Sequence, residues 1–369
     1  MKKKISALIC ATALFVTMLS GCTNAVSEVT TGSIEREDSV ETETSISETT
    51  ETENTEATEN TGTSVEIVTE DITGVTIHIG GLKGPTSIGL LALMDDAANG
   101  LENAPAFEFT MSTAADEITT AFVKGELDIA LIPANVASVL YNKTEGQVTV
   151  IDINTLGVLY VVSGDDTITS PSDLSGKTVY LTGKGTTPDY VLQRILSDNN
   201  VTDVTLEYKS EATEVAAVLS EDSTAVGLLP QPFVTVACSQ NENLKVVLDM
   251  TEEWDKLEGD SGSRLVTGVT IVRDAFLEEH PEAVARFVEL HAESAAEANN
   301  NTERVAALSV EAGIIAKEPI AVKAIANCNI TCITGNEMKQ ALSGYLSVLY
   351  NLDPSSVGGA LPGDDFYGE

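Results

Sequence analysis

Positive charge is scarce in this chain: 20 Lys and Arg stand against 57 Asp and Glu in 369 residues, a formal net charge of -37. Phosphate backbones are held by basic patches, so nucleic-acid binding is excluded as a main activity. A basic surface that grips anionic lipid is disfavoured for the same reason. Histidine is equally sparse, with three residues, too few for a His-built metal site, although carboxylate sites remain open. The five cysteines form no C-x-x-C pair, which argues against a zinc module. Aromatic residues are 5% and tryptophan occurs once, while the 43% hydrophobic share is ordinary for a globular protein. The length accommodates two domains and a sizeable core.

The charge is uneven along the chain. Residues 1–22 carry three Lys and no acid, residues 23–70 carry 13 acids against Arg36, and -28 therefore falls on 71–369. A body so charged is expected to be soluble and monomeric by self-repulsion. The leader opens Met1-Lys2-Lys3-Lys4 and continues with an apolar run of 15 residues over 5–19. That run is too short for a comfortable membrane span and reads as a signal peptide. It closes on Leu19-Ser20-Gly21-Cys22, which resembles a bacterial lipobox; the resemblance implies cleavage before Cys22, removal of Cys10, and diacylation of the Cys22 sulfur. An ordinary signal peptide with an incidental cysteine is the alternative.

Residues 23–70 are Thr, Glu, Ser and Asn with almost no large apolar content. Such a stretch cannot bury enough surface to offset ordering entropy and is expected to be a disordered acidic tether. A flexible chain of this length has an r.m.s. span of about 40 Å. No later segment is apolar enough to span a bilayer.

Beyond the tether, strand and helix alternate. Strands are expected over 75–79, 107–111 and 128–132, with helices over 88–98, 115–123 and from Ala134 to about Tyr141. A second run repeats the order: strands over 177–181, 204–208 and 225–229, helices over 189–197, 212–219 and 233–239. Each run predicts a parallel sheet with right-handed crossovers. The loops match too. Lys83-Gly84-Pro85-Thr86-Ser87 parallels Lys184-Gly185-Thr186-Thr187-Pro188, and Leu131-Ile132-Pro133-Ala134-Asn135 parallels Leu228-Leu229-Pro230-Gln231-Pro232. Two strand-like stretches, 156–162 and 265–272, would connect the halves, followed by helices over 281–298, 303–312 and 337–350. A chain that leaves one lobe and returns to it has the wiring of a hinged clamshell. The expected lobes are 71–160 plus 264–369, and 161–263.

These features resemble the NitT/TauT group of ABC-transporter substrate-binding proteins, which have the type II periplasmic-binding-protein fold. The resemblance is carried by Leu82-Lys83-Gly84-Pro85-Thr86-Ser87, Asp128-Ile129-Ala130-Leu131-Ile132-Pro133, Leu174-Ser175-Gly176-Lys177-Thr178-Val179, Gly183-Lys184-Gly185-Thr186-Thr187-Pro188, Leu229-Pro230-Gln231-Pro232-Phe233, and the stretch from Val266 to Val272. It covers about residues 74–350. It implies an α/β, two-lobed clamshell with a central cleft and two hinge crossings. It also implies capture of a small solute and delivery to an ABC permease and ATPase, from a cell-membrane anchor on the extracytoplasmic face of a Gram-positive bacterium. No cofactor, metal or catalytic residue is expected.

In open α/β sheets, ligands sit outside the carboxyl ends of the strands. The candidate binding residues are therefore Lys83, Pro85, Thr86, Ser87, Ser112, Thr113, Asn135, Tyr160, Lys184, Thr186, Thr187 and Gln231. The hydroxyls either bind ligand or cap helices. The lysines either neutralise an anion or are solvated, and Tyr160 either faces ligand or packs in the core. His78 reads as a satisfied core histidine and His291 as a residue on a helix face. No histidine has a Cys or Ser neighbour that suggests a triad. Cys328 and Cys332 are either bridged or two semi-buried thiols, Cys238 has no evident partner, and Trp254 reads as a lobe-surface or cleft-rim residue. Two other functions compete with transport: an enzyme on the same fold, as in some cofactor biosynthesis, and a sensor without a permease.

Overall fold

The computed structural model describes residues 71–368. The expected leader and tether, including Cys22, lie outside the described residues. Among the described residues no helix is long and apolar enough to cross a membrane.

In chain order the first elements are β1 (Thr76–Leu82), a 3-10 segment (Pro85–Leu90) running into α1 (Leu91–Ala98), β2 (Ala106–Ser112), α2 (Ala115–Val123), β3 (Ile129–Pro133), α3 (Ala134–Lys143) and β4 (Val148–Leu156). Next come β5 (Leu159–Ser163), β6 (Thr178–Thr182), α4 (Thr187–Asp198), β7 (Thr205–Lys209), α5 (Ala212–Glu221), β8 (Val226–Pro230), α6 (Phe233–Gln240), β9 (Lys245–Asp249) and α7 (Met250–Glu258). The chain closes with β10 (Val266–Arg273), α8 (Asp274–Glu279), α9 (Pro281–Asn300), α10 (Thr302–Glu311), α11 (Glu318–Ile325), β11 (Ile330–Ile333) and α12 (Gly335–Leu352).

Two sheets result, ordered β11-β4-β10-β3-β1-β2 and β7-β6-β8-β5-β9. The parallel triplets β2-β1-β3 and β7-β6-β8 occupy matching places, as the repeated loops imply. Each run is parallel as expected, and the crossing strands add antiparallel neighbours to both sheets. β10 runs antiparallel beside β3, and β5 antiparallel beside β8. Both are strands that enter a sheet from the other lobe, so they arrive at the carboxyl ends of the triplet and run backwards along it. The fold is a two-lobed α/β clamshell with two crossings.

The expected single strand over 156–162 is two strands. The break falls at Gly157-Val158, where the first crossing passes the second. A Cβ at Gly157 would meet Thr251 Oγ1 at 2.2 Å and Leu265 Cδ2 at 2.8 Å, so only glycine fits. The crossing is pinned on both sides: Asn329 Nδ2 donates to Gly157 O at 2.7 Å, and Gln231 N–H donates to Val158 O at 3.0 Å.

The helix expected over 88–98 begins as the 3-10 segment, because Pro85 fixes the first turn after the extended Gly84. Trp254 is not at a surface or rim. It is 1% exposed, its ring lies 5.7 Å from that of Tyr345, and its indole N–H points to Ser263 Oγ at 3.4 Å. Cys238, Cys328 and Cys332 are free thiols. Burial pushes the Cys328 thiol up to about 12.

Candidate functional site

The candidate loops follow the carboxyl ends of β1 and β6. In the first lobe, Lys83 is exposed and its backbone N–H closes on Ser112 O at 2.8 Å. Its ammonium group lies near Gly313, so it stands away from Thr86 and Ser87, which are buried. The hydroxyls of Thr86 and Ser87 have no hydrogen-bond partner, so neither acts as a cap. Pro85 presents its carbonyl to Thr155 Oγ1 at 3.4 Å.

Ser112 closes β2. Its hydroxyl accepts from Ala114 N–H at 3.1 Å and donates to the Glu117 carboxylate in the first turn of α2, so the loop between strand and helix engages it. Thr113 beside it is exposed. Asn135 is turned to the C-terminal segment, with Nδ2 3.4 Å from Ser356 O.

In the second lobe, Thr186 donates back to Gly183 O at 2.5 Å, closing the loop on itself. Lys184 is exposed and stands over the Tyr208 ring, 5.4 Å from its centroid. The organiser of this loop is Asp189, which the sequence reading overlooked. Its buried carboxylate accepts from Gly185 N–H at 2.8 Å, Gln193 Nε2 at 2.6 Å and Tyr208 O–H at 2.7 Å. An acid in the first turn of α4 already complements the helix dipole, so this end is poorly suited to a second negative charge.

Two phenols join the lobes beside this loop. Tyr190 donates to Asp353 Oδ2 at 2.8 Å, and the Tyr345 phenol meets Thr187 Oγ1 at 3.4 Å. Burial, and next the bond to Asp353, push the Tyr190 phenol up to about 12; burial pushes Tyr345 up to about 12 as well. In an unfolded chain phenols ionise near pH ~10. Their folded values lie higher, so the stability they contribute is complete below about pH 10 and is lost as pH rises from there towards 12. Melting temperature is expected to fall over that interval and to fall less in Tyr345→Phe. Parallel curves for the two proteins would contradict this.

Tyr160 and Gln231 come together at the carboxyl end of the second sheet. They line a cavity of about 600 Å³ with Thr235, Asp249, Lys323 and Asn327. Tyr160 donates to Asn327 O at 2.8 Å, and Gln231 Oε1 accepts from Thr235 Oγ1 at 2.8 Å. Burial raises the Asp249 carboxyl above its usual range. Tyr160 and Gln231 thus share one wall, while Thr86 and Ser87 form a separate polar surface on the first lobe. Ser112, Asn135 and Lys83 join neither.

The histidines depart from expectation. His78 has 45% of its side chain exposed rather than lying in the core, and its Nδ1 is 2.9 Å from Asp128 Oδ2. His291 is fully buried, with Nδ1 3.0 Å from Asp152 Oδ2. Cys332 completes a cluster whose ligand atoms lie within 4.8 Å of one another, a cysteine neighbour that the sequence does not show. Sequence distance hid it, because β4, α9 and β11 each supply one residue. Burial, reinforced by the Asp152 charge, holds the Cys332 thiol far above its ordinary range, so it stays protonated. Thr270 and His291 already occupy both Asp152 oxygens. The cluster is built as a hydrogen-bonded core, not as a nucleophile or an open ligand set.

Asn154 is the second residue that sequence reasoning missed. It is 1% exposed, its Nδ2 lies 3.1 Å from Thr270 Oγ1, and its Oδ1 has no partner. A Cβ at Gly268 would come 2.4 Å from that Oδ1 and 2.5 Å from Thr86 Cγ2, so the two side chains share the gap that glycine leaves. The alternation Asp152-Ile153-Asn154 is the signal that puts two polar residues on one strand face.

Comparisons with known proteins agree on this architecture. An ABC-transporter protein from Parabacteroides distasonis superposes with a TM-score of 0.68 at 23% identity, covering 80% of this chain and 99% of its own. The periplasmic aliphatic sulphonate binding protein SsuA from Escherichia coli gives 0.62 at 15% identity, covering 77% and 96%. The periplasmic nitrate-binding protein NrtA from Synechocystis gives 0.50 at 12% identity, covering 72% and 74%. The resemblance to substrate-binding proteins of the NitT/TauT type therefore holds at the level of fold. No curated protein matches the sequence. The sequence model of the family described as "Menaquinone biosynthesis" matches residues 87–351, more than half of the chain. The chain therefore belongs to that menaquinone-biosynthesis family, on the two-lobed fold that ABC-transporter binding proteins also use.

Proposed function

We propose that the protein is an extracytoplasmic solute-binding lipoprotein, not an enzyme. It captures a small polar or anionic molecule between its lobes and delivers it to an ABC permease, anchored through an acylated Cys22. The observation that carries this reading is the pair of buried, unpartnered hydroxyls of Thr86 and Ser87, beside the unpartnered Asn154 carbonyl, at the carboxyl end of the first sheet. Buried polar atoms are nearly always paired, and here a ligand supplies the missing partner. The fold neighbours named for sulphonate and nitrate support a solute-binding role. In a hinged pair of lobes, a solute touching both shifts the population towards closure.

The test is a thermal-shift screen of the full chain with sulfonates, nitrogen compounds and pyrimidine-like vitamin precursors. A ligand at a hundred times its Kd adds about 2.7 kcal/mol of stability, a readily measured rise in Tm. A flat response across the panel would sink the solute-capture reading. A second reading, an enzyme of menaquinone biosynthesis, is favoured by the family match. Chemical conversion of any bound probe by the isolated protein would establish it instead. The protonated, half-buried Cys332 weighs against thiolate catalysis.

A further inference from the structure

We infer that the solute held on the first lobe presents a hydrogen-bond donor to Asn154 Oδ1. This rests on the solute-capture reading and names the ligand class for the same site. A buried chain sets the directions of the Thr270 and Asn154 hydrogen bonds. The Asp152 carboxylate can only accept, from His291 Nδ1 at 3.0 Å on one oxygen and from the Thr270 hydroxyl at 2.8 Å on the other. The single proton of Thr270 is thereby committed, and Thr270 Oγ1 must itself accept. Its remaining partner, 3.1 Å away, is Asn154, which therefore turns its NH₂ inward. A flipped amide would set carbonyl oxygen against hydroxyl lone pairs.

The consequence is an acceptor of fixed polarity. Asn154 Oδ1 is buried without a partner and shares the gap at Gly268 with Thr86. Thr86 and Ser87 can donate or accept, so they adapt to either kind of ligand. Asn154 cannot. A nitrate or a plain alkanesulfonate would put acceptor against acceptor there. An amine, amide, urea or hydroxyl group supplies the missing proton.

The experiment measures binding of matched probes to the full chain by thermal shift and calorimetry. One set carries donors (primary amines, amides, ureas, polyols and taurine). The other carries acceptors only (nitrate, ethanesulfonate and nitriles). Donor-bearing probes are expected to bind and their acceptor-only counterparts to bind at least about 10-fold more weakly. For the best donor probe, Asn154→Leu is expected to weaken binding about 10- to 100-fold. Thr270→Val frees the amide to turn and should bring the two sets within about 3-fold of each other. Thr270→Ser, which keeps the hydroxyl, should preserve the preference and controls for folding. Equal or tighter binding of acceptor-only probes, unaltered by Asn154→Leu, would overturn the donor assignment and leave solute capture standing. No binding by either set would overturn both.

Discussion

Replacing Trp254 by alanine is expected to cost about 3–5 kcal/mol, one of the two largest single-residue effects in the molecule. The indole is fully enclosed, sits on α7 just ahead of the second crossing, and packs across on Tyr345 of α12. Truncation removes an aromatic contact and opens a cavity between α7 and α12. For a chain of this size the midpoint should drop by roughly 10 °C. Trp254→Phe should recover much of the loss. Denaturant and thermal unfolding, followed by circular dichroism, measure both variants. A loss below about 1 kcal/mol for the alanine variant would show that the crossing is not held by this contact.

Asp128→Ala is the second large effect, at about 2–4 kcal/mol. The carboxylate is buried just ahead of β3 and gathers three partners: His78 N–H at 2.9 Å, His78 Nδ1 at 2.9 Å, and the Arg273 guanidinium at 2.6 Å. It thus fastens β1 to β3 and β10 at the end of the first sheet away from the cleft. Its removal strands a cation and a backbone donor. The expected cost stays at the lower end of buried-pair values because the Arg273 side chain is 28% exposed and retains some hydration. Asn at 128 keeps an acceptor and should lose about half as much. The double change Asp128→Ala with Arg273→Met should be less damaging than the sum of the single changes, because no unpaired charge remains. Strict additivity in that cycle would refute the pairing.

Much of the framework is legible from pattern alone. Helix α2 has the expected bounds, and the repeated loops mark the matching strand–helix turns β3–α3 and β8–α6. What escapes is polar residues in buried strands. β4 reads Val-Thr-Val-Ile-Asp-Ile-Asn-Thr-Leu and is buried over eight of nine residues, so its Asp and Asn disguise a central strand as a surface one. Trp254 is misplaced for the converse reason: Glu252, Glu253 and Asp255 around it suggest solvent, yet Met250, Trp254 and Leu257 line one helical face. At the site, Thr86 and Ser87 are visible because helix starts after Gly-Pro follow local rules. Asn154 is not, because its importance arises from the Thr270, Asp152 and His291 relay, which links residues more than 100 positions apart. Ser112 and Asn135 have partners within the fold, at Ala114 and Glu117 and at Ser356, that local sequence does not reveal.

Both ends of the described chain belong to the first lobe: β1 opens it, and Tyr367 bridges to Val150 of β4. The second lobe is therefore a loop of chain let out and taken back through two adjacent points. A pull at either end of the described chain therefore enters through the first lobe and reaches the second only through the two crossings and the Tyr190–Asp353 and Tyr345–Thr187 contacts.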